Sequence, residues 1–112
     1  MVLESAKTRE NRRLARAASE PSLEEGLTFR AARRSANRRR AAAASVKDPQ
    51  HLVELACECV DGSCERSLRV PLYVYERILE ADGQYLLQTG HHASPRYRTI
   101  VAFGVTTIEE QI

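Results

Sequence analysis

The chain has 112 residues, with 17 Lys and Arg against 15 Asp and Glu for a net charge of +2, and only three cysteines. That length fits one domain, and no stretch approaches the roughly 18 apolar residues of a spanning helix, nor does an apolar leader run follow Met1-Val2-Leu3-Glu4. An odd cysteine count excludes a complete disulfide framework within one chain, so a cytoplasmic protein with free or metal-bound thiols and no membrane contact is expected.

Charge is unevenly placed. Residues 1–50 carry 12 Lys and Arg against 6 Asp and Glu, net +6, while residues 51–112 carry 5 against 9, net −4. Such asymmetry points to nucleic acid or to an acidic partner surface. Only two of the basic residues are lysine, however, and alanine is abundant, a composition that GC-rich coding also produces.

In chain order, residues 4–19 suit a loose, solvated helix in which Glu10, Arg13 and Arg16 are spaced for ion pairs. Ser19-Glu20-Pro21-Ser22 breaks it, and Ser22-Leu23-Glu24-Glu25 is a candidate N-cap with Gly26 interrupting soon after. A second helix is expected over 27–44. On a helical wheel Arg30, Arg33, Arg34, Asn37, Arg38 and Arg40 take one half, and Phe29, Ala31, Ala32, Ala36, Ala42 and Ala43 the other, with Arg39 intruding on the alanine side. This is a basic amphipathic helix whose shallow apolar face can lie against its own domain, a partner or a phosphate backbone; a solvated linker helix is the plain alternative. Residues 46–50, with Asp48-Pro49, mark a boundary.

Beyond the boundary the pattern changes to short β-branched and aromatic runs. Residues 52–59 read as a strand, Asp61-Gly62 as a turn and 67–70 as the hairpin partner. Pro71 opens a helix with Leu72, Tyr75, Ile78 and Leu79 on one face, ended by Asp82-Gly83. Residues 85–89 and 99–107 read as two further strands. The expected fold class is α+β: a basic helical arm over 1–50, partly disordered by itself, then a small hairpin, helix and two-strand domain over 51–112. A core that small is marginal unaided, which gives a metal staple a stability rationale.

Cys57-x-Cys59-x4-Cys64 supplies the donors. Within a strand residues 57 and 59 share a face while Glu58 points to the other, and the hairpin returns Cys64 toward them. Gly90 lets the chain turn so that His91 or His92 can complete a tetrahedron of the kind zinc prefers. Zinc ribbons more often use Cys-x2-Cys pairs, and three buried free thiols are the bland alternative. His51 and the histidine left over are expected to be exposed or hydrogen bonded, and the four tyrosines to pack rather than to stack on bases.

Cys57-Glu58-Cys59, Cys64, the apolar stretch 68–72, Tyr75-Glu76, Tyr85 and Gly90-His91 carry a resemblance. This segment is similar to a family of short, largely uncharacterised bacterial proteins, common in actinobacteria, with the pattern Cys-Glu-Cys, a third cysteine, Glu-Tyr-Glu and Pro-Gly-His. The register runs from Cys64 to His91 without a gap, about a third of the chain with the first two cysteines included. Val74, Leu79 and Thr89 depart from it. The resemblance implies that His91 rather than His92 is the fourth ligand of a Cys3His zinc site, and it implies no activity.

Four protein ligands close a zinc site, whereas catalysis needs an open position. The deaminase signature, phosphate loops, nucleophile elbows and a helical His-Glu-x-x-His are all missing from the sequence, so a non-enzymatic protein is expected. The first functional expectation is nucleic-acid association, with Arg30, Arg33, Arg34, Arg38, Arg39 and Arg40 contacting phosphates of DNA or RNA. The alternative is an adaptor whose alanine face docks on a partner protein. A redox sensor built on the thiols comes third, and the sequence assigns no oligomeric state.

Overall fold

A reciprocal cap starts the first element. The Ser22 hydroxyl accepts from Glu25 N at 3.1 Å and the Glu25 carboxylate accepts from Ser22 N at 3.1 Å, which satisfies two otherwise orphaned donors. The structure, a computed structural model, describes residues 22–112, so the helix expected over 4–19 lies outside the described residues. Helix α1 (Leu23–Ala43) therefore starts at the candidate cap Ser22 rather than at residue 27 and runs straight through Gly26. That glycine is a packing contact rather than a break: a Cβ there would stand 2.8 Å from the Cβ of Val60.

Strand β1 (Leu52–Ala56) pairs antiparallel with β2 (Ser67–Pro71) in the register Val53↔Val70 and Leu55↔Leu68, and these four side chains are buried. The strand expected over 52–59 is shorter because the chain changes partner. Cys57 N still bonds Arg66 O on the β2 side, but Glu58 N bonds Leu86 O and Val60 N bonds His92 O. Residues 57–60 thus cross from one sheet toward the other.

Pro71 caps α2 (Leu72–Glu80), which buries Leu72, Tyr75 and Ile78 at the expected helical spacing and leaves Leu79 half-buried. Strand β3 (Gln84–Gln88) follows Gly83, whose φ of 77° suits the tight turn. The stretch expected as one strand over 99–107 is a hairpin of β4 (Tyr97–Phe103) and β5 (Thr106–Gln111). Phe103 pairs with Thr106, which leaves Gly104-Val105 as a two-residue loop with Gly104 at φ 61°, and a glycine at the first loop position is a hairpin signal. The order in the second sheet is β3-β5-β4, all antiparallel.

The described residues form an α+β unit, with a two-stranded and a three-stranded sheet, α2 between them in sequence and α1 lying across β1. Its core joins Val53, Leu55, Leu68, Val70, Leu72, Tyr75, Ile78, Leu86, Leu87 and Ile108 with the buried Cys57 and Cys59.

Candidate metal centre

The crossing segment delivers two thiols. Cys57 and Cys59 are both about 1% exposed, and Gln88 N donates to Cys57 Sγ at 3.2 Å. A turn built on Asp61 returns Cys64: the Asp61 carboxylate accepts from Ser63 N at 2.9 Å and Ser63 Oγ at 2.8 Å, and Cys64 N bonds Asp61 O. Those two Ser63 bonds hold the Asp61 carboxyl below its ordinary range. The last donor comes from the turn after β3, where Gly90 has φ 93° and His91 N bonds Gln88 O.

The donor atoms of Cys57, Cys59, Cys64 and His91 all lie within 4.8 Å of one another. His91 Nδ1 is 3.6 Å from Cys57 Sγ and 3.5 Å from Cys64 Sγ. A tetrahedron with metal–sulfur bonds of about 2.3 Å and a metal–nitrogen bond of about 2.0–2.1 Å has sulfur–nitrogen edges of about 3.6 Å. The residues thus form a group that can hold a metal ion, with three soft donors and one borderline donor. His92 diverges: its Nδ1 sits 2.7 Å from the buried Glu109 carboxylate and its ring stacks on Tyr97 at 4.1 Å.

Thiols this close do not ionise independently. Cys59 is lowered to about 5, chiefly by hydrogen bonding with Cys57, while Cys57 is raised by that same bond and by burial. Burial raises Cys64 as well.

Helix α1 grips this loop. Arg33 donates to the carbonyls of Cys59 (2.9 Å), Gly62 (3.3 Å) and Cys64 (3.0 Å), and its Nη1 also lies 3.7 Å from Cys59 Sγ. Glu58, between the two inner thiols, leaves their side as strand alternation requires and enters the core, fully buried. There Arg34 meets it with Nε and Nη2 at 3.1 Å each, Asn37 Nδ2 at 2.9 Å and Leu86 N at 2.9 Å, and the Tyr75 hydroxyl donates as well. Asn37 also bonds both the N–H and the carbonyl of Ala56 at 2.8 Å, so its amide stands where a neighbouring strand would. Sequence reasoning missed Glu58, Asn37 and Tyr75 as a unit. The available signal was Asn37, the one neutral amide in the arginine stripe.

The packing face of α1 is accordingly the arginine side. Gly26, Asn37 and Ala41 are buried and Arg30, Arg33 and Arg34 half-buried, whereas Phe29, Ala31, Ala32, Ala42 and Ala43 are exposed. Guanidinium donors find carbonyls and a carboxylate there that alanine methyls cannot satisfy. Of the six arginines expected at phosphates, Arg33 turns its guanidinium onto the metal loop, Arg34 bonds Glu58 and Gln84 O through Nε and Nη2, and Arg30 donates to Ala93 O at 2.7 Å. Arg38, Arg39 and Arg40 are exposed; Arg39 reaches Ser35 Oγ and Arg40 reaches Asn37 Oδ1, both along the helix. No helix among the described residues is long and apolar enough to cross a membrane. No family model, curated protein or solved structure matches the chain.

Proposed function

We propose that this is a non-enzymatic, zinc-stabilised protein of the reducing cytoplasm whose metal loop holds α1 in place, leaving the outer side of that helix to meet nucleic acid. The observation that carries the reading is the four-donor group clamped by Arg33. Three thiolates and one imidazole suit zinc, and a four-ligand set has no open position for water or substrate. Three thiolates around a divalent cation also leave a net negative charge beside which the Arg33 guanidinium is well placed.

The nucleic-acid part rests on Arg38, Arg39 and Arg40, exposed in the last turns of α1 and free of carboxylate partners among the described residues. Native mass spectrometry of the purified chain with and without chelator should find one zinc per chain; a metal-free folded protein overturns the metal reading. Binding to duplex DNA through three phosphate contacts should fall with salt at a log–log slope of about −2.7. The adaptor reading is favoured by the exposed Ala31, Ala32, Ala42 and Ala43, and it predicts no salt-dependent affinity for DNA or RNA.

A further inference from the structure

Arg30, Arg34 and Arg38 follow one another at four-residue intervals on α1, about 6 Å of axial rise per step. With Ala31, Ser35 and Tyr85 they line an open groove of about 340 Å³. The Arg30 and Arg34 guanidiniums lie 4.2 and 4.6 Å from the centroid of the same Tyr85 ring. Both are fixed by the fold: Arg30 through Nη1 on Ala93 O, Arg34 through Nε and Nη2 on Glu58 and Gln84 O.

Those bonds leave Arg34 Nη1, and Nε and Nη2 of Arg30, without a protein acceptor among the described residues; Arg38 donates to none. Glu58 balances Arg34 alone. Arg30 and Arg38 have no carboxylate partner among the described residues. Arg30 and Arg38 therefore bring positive charge to the groove that no described carboxylate balances, and an oxyanion there would balance it while accepting the spare N–H groups. Guanidinium forks match the tetrahedral oxygens of phosphate, and their position is already set by protein contacts, so little side-chain entropy is lost on binding.

We infer that this groove is a phosphate site, with Arg30, Arg34 and Arg38 donating to the oxygens and the Ser35 hydroxyl at its edge. The phosphate can belong to a free anion or to a nucleic-acid backbone, and the second source rests on the function proposed above. The test titrates the full-length, metal-loaded chain with inorganic phosphate at constant ionic strength, following the arginine side-chain N–H and Tyr85 ring signals by NMR. Saturable shifts at Arg30, Arg34 and Tyr85 are expected. They should weaken at least several-fold in Arg38→Gln and in Arg30→Gln, and stay unchanged in Arg69→Gln, an exposed position on β2. Metal content of the variants confirms their folding, and Arg34 is left intact because Glu58 depends on it.

Shifts that chloride reproduces, or that both groove variants retain, overturn the site. A parallel titration with a duplex oligonucleotide separates the sources. If the backbone is the source, each groove variant lowers the salt slope by about 0.9. Oligonucleotide binding with an undiminished slope in both variants removes Arg30 and Arg38 from the nucleic-acid contacts and leaves the groove to stand or fall as a free-anion site on the inorganic-phosphate titration. Saturable phosphate binding with no oligonucleotide binding supports the groove as a free-anion site and removes the nucleic-acid reading.

Discussion

Glu58 is the residue on which the two halves of the chain meet. A buried carboxylate is tolerated only when its charge and lone pairs are answered, and here Arg34, Asn37, Tyr75 and Leu86 N answer them from three elements. Glu58→Gln keeps the shape but removes the counter-charge of Arg34 and sets an amide N–H against donors. We expect a loss of about 3–5 kcal/mol in chemical denaturation of the metal-loaded protein; a loss below about 1 kcal/mol would mean that solvent reaches the site. The Tyr75 hydroxyl is pushed above its usual range, first by burial and then by the Glu58 charge. A raised acid favours its protonated form in the fold, so this contribution is intact below the unfolded tyrosine value of about 10 and falls by about 1.4 kcal/mol per pH unit above it. Tyr75→Phe should cost about 1–3 kcal/mol at neutral pH and flatten the alkaline fall in stability, which urea midpoints between pH 9 and 11 will show. The clustered donors were legible in the sequence because cysteine and histidine advertise their chemistry, although the residues by themselves left His91 and His92 open. Glu58 was not, because alternation says which way a side chain leaves a strand but not whether core or solvent lies on that side.

Helix α1 shows how the same ambiguity acts on an element. A wheel separates arginine from alanine and suggests that the apolar side docks, yet the partner surface here is a loop rich in carbonyls together with a carboxylate, so the arginine side wins. Arg33 then acts as a positioning residue: it touches three loop carbonyls and approaches Cys59 Sγ without itself being a ligand. Outer partners of this kind typically govern metal affinity by 10–100-fold. If the group holds the proposed zinc, Arg33→Ala should therefore lose it to a competing chelator at about 10–100-fold lower chelator concentration, whereas Arg39→Ala, whose partner is only Ser35 on its own helix, should not. Equal zinc affinity in the two variants would show that the loop holds its shape without α1. Strand boundaries were hidden for a related reason. Residues 52–59 are uniformly strand-like, but their hydrogen bonds pass from Arg66 to Leu86 partway along, and no local pattern records a change of partner. The hairpin within 99–107 did leave a trace in Gly104, which an apolar run on either side masks.

At the scale of the whole molecule the candidate metal loop is a junction rather than an appendage. Cys57 and Cys59 belong to the core, Glu58 between them anchors α1 and the start of the second sheet, and His91 closes the loop from the far end of β3. Small cores rarely supply more than about 3–5 kcal/mol by themselves, and a site that forms only on folding passes its binding free energy to the fold. On the zinc reading proposed above, removing the metal should then affect every element at once. We expect a chelator to lower the thermal midpoint by on the order of 20 °C, which corresponds to about 5 kcal/mol at about 4 °C per kcal/mol, and Cys59→Ser to do the same without chelator. Amide exchange distinguishes the junction from a local clasp. In the junction, protection over Asn37 and Ala41 of α1, Val53 and Leu55 of β1, and Leu86 and Leu87 of β3 collapses together on metal removal. A local clasp loses protection only between residues 57 and 64 and at 88–92, with the midpoint hardly moved, and that pattern would divide the molecule into a self-sufficient core and a separable metal loop.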